Sequence, residues 1–293
     1  MGSESLMATN NFKPFAIGNG ANVSTQADYE ALAALATGFQ AGKASSAQIN
    51  KALRQATVMA YVLAQYISDT AAVDVLDNGN PANLLANLKS GFLSSTPGRL
   101  INVQVFSASG TWAKTAGAKK ALIKCWGAGG GGGNTSTAAS GGGSGAGGGY
   151  SEGMFDISTL TSATVVVGSG GTSVAANIAG SGGNGGSSSV GGLISAGGGN
   201  GGTSSSGSSP GASTNGGTIF AVSGQGGQGP VNALGGVGGG AFNSFGGLPH
   251  SAGVGDQGGF PGGGGAGGTK ATSTSYFASG AGANGYVIIT EYA

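Results

Sequence analysis

Charge is what this sequence has least of: 293 residues carry 11 Lys plus Arg and 10 Asp plus Glu, for a net charge of +1. About a quarter of an average globular chain is charged, so the usual ionic surface is largely missing. With no basic block either, the electrostatic footprint of a nucleic-acid binder is absent. The one cysteine, Cys125, excludes a disulfide framework, so stability has to come from packing, backbone hydrogen bonds or oligomerisation. The one histidine, His250, with that cysteine falls short of a protein-only zinc site in one chain. No metal and no cofactor are therefore expected; only three copies of His250 around a threefold axis would reopen the question. No window approaches the roughly 18 apolar residues of a membrane span, and no basic-then-apolar signal segment opens the chain. A soluble protein made in the cytoplasm, without membrane insertion, is expected. Residues 1–6, ahead of a second methionine at Met7, read as a cloning scar.

What is abundant is glycine, at 67 residues. Its irregular runs exclude the every-third-residue spacing of collagen. Residues 1–126 hold 10 of these glycines and residues 127–285 hold 57, whereas within 127–285 only Glu152, Asp156, Asp256 and Lys270 are charged. Two physical regimes share the chain. The divisions predicted are a helical shaft or oligomerisation segment at 7–95, a β connector at 96–126 and a glycine-rich domain at 127–293.

The first regime reads as helical. Ser24 or Thr25 caps a segment through Tyr29, Leu32 and Leu35 that stops at Gly38. Ser45 with Gln48 has the form of a capping box, and the helix it opens runs to about Ser68. Along it Ile49, Leu53, Ala56, Ala60, Leu63 and Ile67 are separated alternately by four and three residues, a heptad seam. A stripe of this kind needs a partner, either a neighbour in its own chain or other copies; isoleucine at both core positions leans toward three strands. Asn80 with Pro81 opens a third helix that stops at Gly91. After the break at Thr96-Pro97-Gly98 the period becomes two, with Ile101, Val103 and Val105 on the apolar side of a strand. The link 110–114 leads to a second strand, Ala121 to Trp126.

Glycine at this density usually means disorder. Here strand-grade segments punctuate it, at 163–167, 192–195, 218–222 and 286–290, so order is expected. The runs are then either positive-φ loops or extended three-residue-per-turn segments, packed closely and bonded between chains through their backbones.

The run from Gly38 through Lys43, Ser45, Gln48, Lys51 and Arg54 to Gln55 resembles a module of the tail fibre proteins of tailed bacteriophages. The second half looks like their glycine-rich tip domain at Cys125-Trp126-Gly127-Ala128-Gly129-Gly130, at Gly147 to Gly153, at Val165 to Gly168 and at Gly285 to Tyr292. The resemblance implies a structural virion protein, homotrimeric, helical and coiled-coil-like at its N-terminus and all-β or extended toward a receptor-binding tip. Its expected partners are a bacterial surface polysaccharide or outer-membrane protein and other phage tail proteins, and its expected place is the distal tail fibre of the virion.

Enzymatic motifs fail on context. Gly127 to Gly132 satisfies the dinucleotide fingerprint literally, but no helix follows to receive a pyrophosphate. A hydrolytic triad would have to use His250 and lacks a nucleophile elbow. Glu152 and Asp156, with Asp256 from elsewhere, are the carboxylates a depolymerase would need, yet nothing fixes their separation. Glu152 is expected at a turn. No catalysis is expected, with a polysaccharide depolymerase and a glycine-rich structural protein unrelated to virions as the rival readings. What remains is binding by loops at 134–140, 203–215, 230–234, 241–251 and 269–279. Phe242, Asn243, Phe245, His250, Phe260, Tyr276 and Phe277 are the candidate receptor-binding residues, since rings stack on sugar faces and three copies multiply weak contacts.

Overall fold

Thr25 accepts the Asp28 N–H and so opens α1 (Gln26–Glu30). The segment predicted as one helix is nonetheless two, because i to i−3 bonds at Leu32 and Leu35 turn the chain before α2 (Ala34–Thr37), which Gly38 ends at φ +72°. These belong to a computed structural model that describes residues 8–39, 45–96, 98–135, 140–207, 216–272 and 275–293. Residues 1–7, the 40–44 part of the fibre-like module, Pro97 and parts of three loops (136–139, 208–215 and 273–274) lie outside that description. The chain divides into two units, Met1–Pro97 and Gly98–Ala293.

In the first unit α3 (Ser46–Ala71) starts at Ser45, whose side chain makes no cap bond; the capping box does not form, and the Ser45 carbonyl takes the Gln48 and Ile49 N–H groups instead. Asn80 caps α4 (Pro81–Ser94) by accepting from Asn83. That helix does not stop at Gly91. It crosses α3 there, where a Cβ would stand 2.8 Å from Thr70 Oγ1 and 3.5 Å from the Ile67 Cα. A small core of Ala64, Ile67 and Val75 forms, with Phe12, Tyr66, Leu84 and Leu88 against it. Of the heptad seam only Ile67 is buried; Ala60 is half-buried, and Ile49, Leu53, Ala56 and Leu63 are exposed.

The second unit is a mixed β and extended-helix structure in which the described sheet pairings are antiparallel. One sheet has the order β1 (Leu100–Phe106), β9 (Tyr286–Tyr292), β3 (Lys120–Trp126), β4 (Tyr150–Asp156), β8 (Phe220–Val222). The other runs β2 (Gly110–Ala113), β5 (Ser162–Val166), β6 (Ser188–Val190), β7 (Ile194–Ala196). The 110–114 link is thus a strand, and its Trp112 is fully buried among Ile123, Val165, Ile194, Val287 and Ile289. The residues expected as a connector pair directly with β9 and β4.

β1 has the predicted period, and Ile101 packs on the core as its apolar side should, but beyond it the opposite face turns inward. A bulge between Leu100 and Asn102 sets Asn102 and Gln104 toward the second sheet and leaves Val103 and Val105 exposed. The cause is Glu291, buried on the neighbouring strand: Gln104 Nε2 donates to it at 3.0 Å, the Thr115 N–H at 2.9 Å and Thr115 Oγ1–H at 2.7 Å. Burial raises that carboxyl's proton affinity, but these donors outweigh it and hold the pKa below the ordinary range.

Beyond β3 the chain enters a backbone lattice. Gly127, Gly130 and Gly133 donate to the carbonyls of Gly149, Ala146 and Gly143; Ala128, Gly131 and Asn134 donate to Gly186, Gly183 and Gly180; Gly129 and Gly132 donate to Ala283 and Gly280. A partner that recurs at every third residue defines an extended helix of three residues per turn. From other sides Gly199 and Gly202, Gly265 and Gly268, and Gly171 donate into the same helix. Six segments therefore surround 127–134. The glycine runs are packed extended helices, and their bonds close within one chain where the sequence reading places them between chains. Contact is so close that a Cβ on Gly130 would stand 2.0 Å from the Asn200 carbonyl oxygen.

Candidate functional site

The lattice fixes what the loops present, and it separates the predicted binding residues into two groups. Trp126 precedes the 127–134 helix. Its indole N–H donates to the Phe242 carbonyl at 3.0 Å, and Phe242 stacks on Tyr150 with ring centroids 4.3 Å apart at 18°. Asn243 is exposed in the left-handed region at φ +56°. The adjoining loops are stitched together, the Gly259 N–H donating to the Phe245 carbonyl and Ser244 Oγ–H to that of Gly259. They leave Phe245 71% and Phe260 55% exposed, the latter set edge-on to Tyr286 at 5.1 Å.

Asn134 ends the same helix, eight residues on, about 25 Å away at ~3.1 Å per residue. Its side-chain amide donates to the carbonyls of Ala175 and Phe277, both at 3.1 Å. Phe277 is half-buried, and Tyr276 is buried with its hydroxyl unpartnered among the described residues. Gly255 donates to Ala278, which brings the 248–256 loop to this end, where His250 Nε2 and Asp256 Oδ1 lie 2.8 Å apart, both half exposed. Phe242, Asn243, Phe245 and Phe260 thus form one group, and His250, Tyr276 and Phe277 another. Within one chain they do not form a single site. Tyr276 is a core residue that pins its loop.

The carboxylates weighed for catalysis do not converge. Glu152 is on a strand, not at a turn, and it and Asp156 stand four residues apart on β4, about 13 Å along the strand. That exceeds the span of a glycosidase pair, at most about 9.5 Å. Ser158 holds the exposed Asp156 below the ordinary carboxyl range. Asp256 faces His250 instead. Burial pushes the Cys125 thiol up to about 12, only partly offset by a backbone hydrogen bond at Ala196, so it is no nucleophile. Among the described residues no three His, Cys, Asp or Glu cluster as metal ligands, and no helix is long and apolar enough to cross a membrane.

The profile of a family described as a glycine-rich domain matches residues 105–292. The chain belongs to that family. The matched span opens within β1 and closes on β9, so this glycine-rich domain comprises both sheets and the lattice between them. No curated protein matches the chain.

The sequence reading missed a second chemical feature of the glycine-rich domain, the outer face of its five-stranded sheet. Cross-strand register aligns Val105, Ile288, Lys124, Glu152 and Phe220 in one row there. Tyr150 Oη–H donates to Glu152 at 2.6 Å and Lys124 Nζ lies 3.8 Å from the same carboxylate. Burial, then the Glu152 carboxylate, raise the Tyr150 phenol above its ordinary pKa. The period-two alternation of Leu122, Lys124 and Trp126 was the signal that could have found this face.

Proposed function

We propose that the chain is a structural virion protein, a homotrimeric bacteriophage tail fibre adhesin whose glycine-rich domain carries loops to a bacterial surface polysaccharide or outer-membrane protein. One observation supports this above the others: loops rich in exposed rings and short polar groups are stitched to a lattice whose hydrogen bonds close within the domain. Such a lattice favours recognition because the loops lose little freedom on binding. It does so with few charges and no convergent catalytic pair. The exposed Ile49, Leu53 and Leu63 of α3 support the trimer, since they leave a heptad seam for other copies to cover. On this reading the protein binds without chemistry, and a distal fibre position follows from the resemblance given above.

Fluorescently labelled full-length chain should bind saturably to a subset of bacterial strains in flow cytometry, and lose binding on isogenic strains stripped of the receptor. Absence of binding across a broad panel would remove the adhesin reading. Release of new reducing ends from capsule would favour the depolymerase instead.

A further inference from the structure

Asparagine followed by glycine occurs at Asn19, Asn78, Asn184, Asn200, Asn215 and Asn284. Asparagine is chemically labile, and a following glycine exposes its attackable amide to a backbone nitrogen that no Cβ crowds. Asn215 lies outside the described residues; the fold divides the other five. In the lattice the nitrogen that would react is already committed. Gly185 N–H donates to the Gly199 carbonyl at 2.8 Å, Gly201 N–H to Asn184 Oδ1 at 2.8 Å, and Gly285 N–H to the Gly168 carbonyl at 2.9 Å. Asn284 Oδ1 is held by the Gly170 N–H at 2.8 Å. Turning Asn200 or Asn284 to close a ring would also break the bonds that their own carbonyls accept from Ala146 and Gly262.

In the first unit the same dipeptide sits in open turns. Asn19 lies inside the turn that the Ala21 N–H closes on the Gly18 carbonyl at 3.1 Å, and both Asn19 and Asn78 are exposed. Gly20 and Gly79 stand at φ +78° and +71°, with nothing within 4 Å of the place a Cβ would take. Asn78 Oδ1 accepts the Asn80 N–H at 3.1 Å, a bond that does not involve the Gly79 nitrogen. Among the described residues neither the Gly20 nor the Gly79 nitrogen donates a hydrogen bond.

We propose that Asn19 and Asn78 are sites of self-modification, deamidating through a cyclic imide, and that the lattice withholds Asn184, Asn200 and Asn284 from the same reaction. The Gly20 or Gly79 nitrogen forms a bond to Cγ of the preceding asparagine. The Cγ–Nδ2 bond breaks, and ammonia leaves with the proton that the backbone nitrogen gives up. Water then opens the imide at either carbonyl, to aspartate or to isoaspartate, with no change of oxidation state. Each product adds a carboxylate, so reaction at both sites lowers the net charge of +1 by two. Isoaspartate at 78 also lengthens the backbone by one methylene just ahead of Asn80, the cap of α4. Each lattice site must first open two hydrogen bonds, which slows attack at least about tenfold. The inference holds whatever the protein binds.

The test is peptide mass spectrometry of the full-length chain aged at mildly alkaline pH, with isoaspartyl and aspartyl peptides separated. Each site's rate is divided by its own rate in a guanidinium-unfolded sample, which removes the influence of neighbouring residues. The ratio should stay near unity at Asn19 and Asn78 and fall at least about tenfold at Asn184, Asn200 and Asn284. Asn78→Gln should abolish the product at 78 and leave Asn19 reacting at its former rate. Lattice asparagines with a ratio near unity overturn the proposal, and so does slowing at Asn19 and Asn78 as large as that in the lattice.

Discussion

Gly132 and Ala266 approach so closely that a Cβ on the glycine would stand 1.9 Å from the alanine's carbonyl oxygen. Backbone, not side chain, fills this core, and the contact repeats wherever one extended helix lies on another. Ala128, Ala146 and Ala266 are fully buried in it, so methyl groups fit only at positions that point between neighbours. The hydrogen bonds, each worth about 1 kcal/mol net, replace the side-chain burial that a glycine run does not provide.

Gly132→Val should therefore destabilise the domain by about 3 kcal/mol or more, the upper end of overpacking. Gly229→Ala should change stability by less than about 0.5 kcal/mol, because the nearest atom to its Cβ would be 3.6 Å away. Thermal denaturation followed by circular dichroism compares the two. Equal losses would mean that the lattice contacts do not carry the stability.

Glu291 ties stability to pH. Its folded pKa lies below the ordinary value of 4.5 because Thr115 and Gln104 outweigh the opposing effect of burial. The stabilisation is complete above that ordinary value and is lost as pH falls from about 4.5 through the lower folded pKa. Urea midpoints should fall over that acid range in the wild type, and less steeply in Glu291→Gln. Parallel curves would show that other carboxylates govern acid unfolding.

How much of this was legible in the sequence differs by element. The strands at 163–167, 218–222 and 286–290 were visible from β-branched and aromatic runs, and they correspond to β5, β8 and β9. The inward face of β1 was not, because an apolar alternation says which residues share a face and not that a buried Glu291, 187 residues along the chain from Gln104, will claim the polar one. Gly91 read as a stop, since propensity is local and the crossing with α3 is not. The lattice was visible only as one of two uses of glycine, and which helix bonds to which depends on long-range pairing that composition does not encode. The candidate residues Phe242 and Tyr276 were found as rings, but their separation by the length of the 127–134 helix needed the fold.

The seam on α3 gives a separate expectation. Leu53 is 47% exposed in one chain, so Leu53→Lys should leave helix content nearly unchanged in a monomer and should dissociate a trimer. Sedimentation equilibrium with far-UV circular dichroism reads both quantities. A variant that retains the mass of three 27.4 kDa chains with the same melting curve would remove the seam as the cause of assembly.

Two tyrosine hydroxyls make a last, opposed pair. Tyr276 Oη is buried without a hydrogen-bond partner among the described residues, whereas Tyr150 Oη–H donates to Glu152 at 2.6 Å. An unsatisfied buried hydroxyl costs about 1–3 kcal/mol, and a bond to a charged acceptor contributes about 1.5–3 kcal/mol. Tyr276→Phe should thus be neutral or stabilising by about 1 kcal/mol, and Tyr150→Phe destabilising by about 2 kcal/mol, since it also strips Glu152 of its neutral donor and leaves Lys124 beside it. Both changes delete one oxygen and leave the ring in place, so opposite signs in chemical denaturation isolate the hydrogen bond from ring packing; the same sign for both would mean that the Tyr276 hydroxyl has a partner in solution.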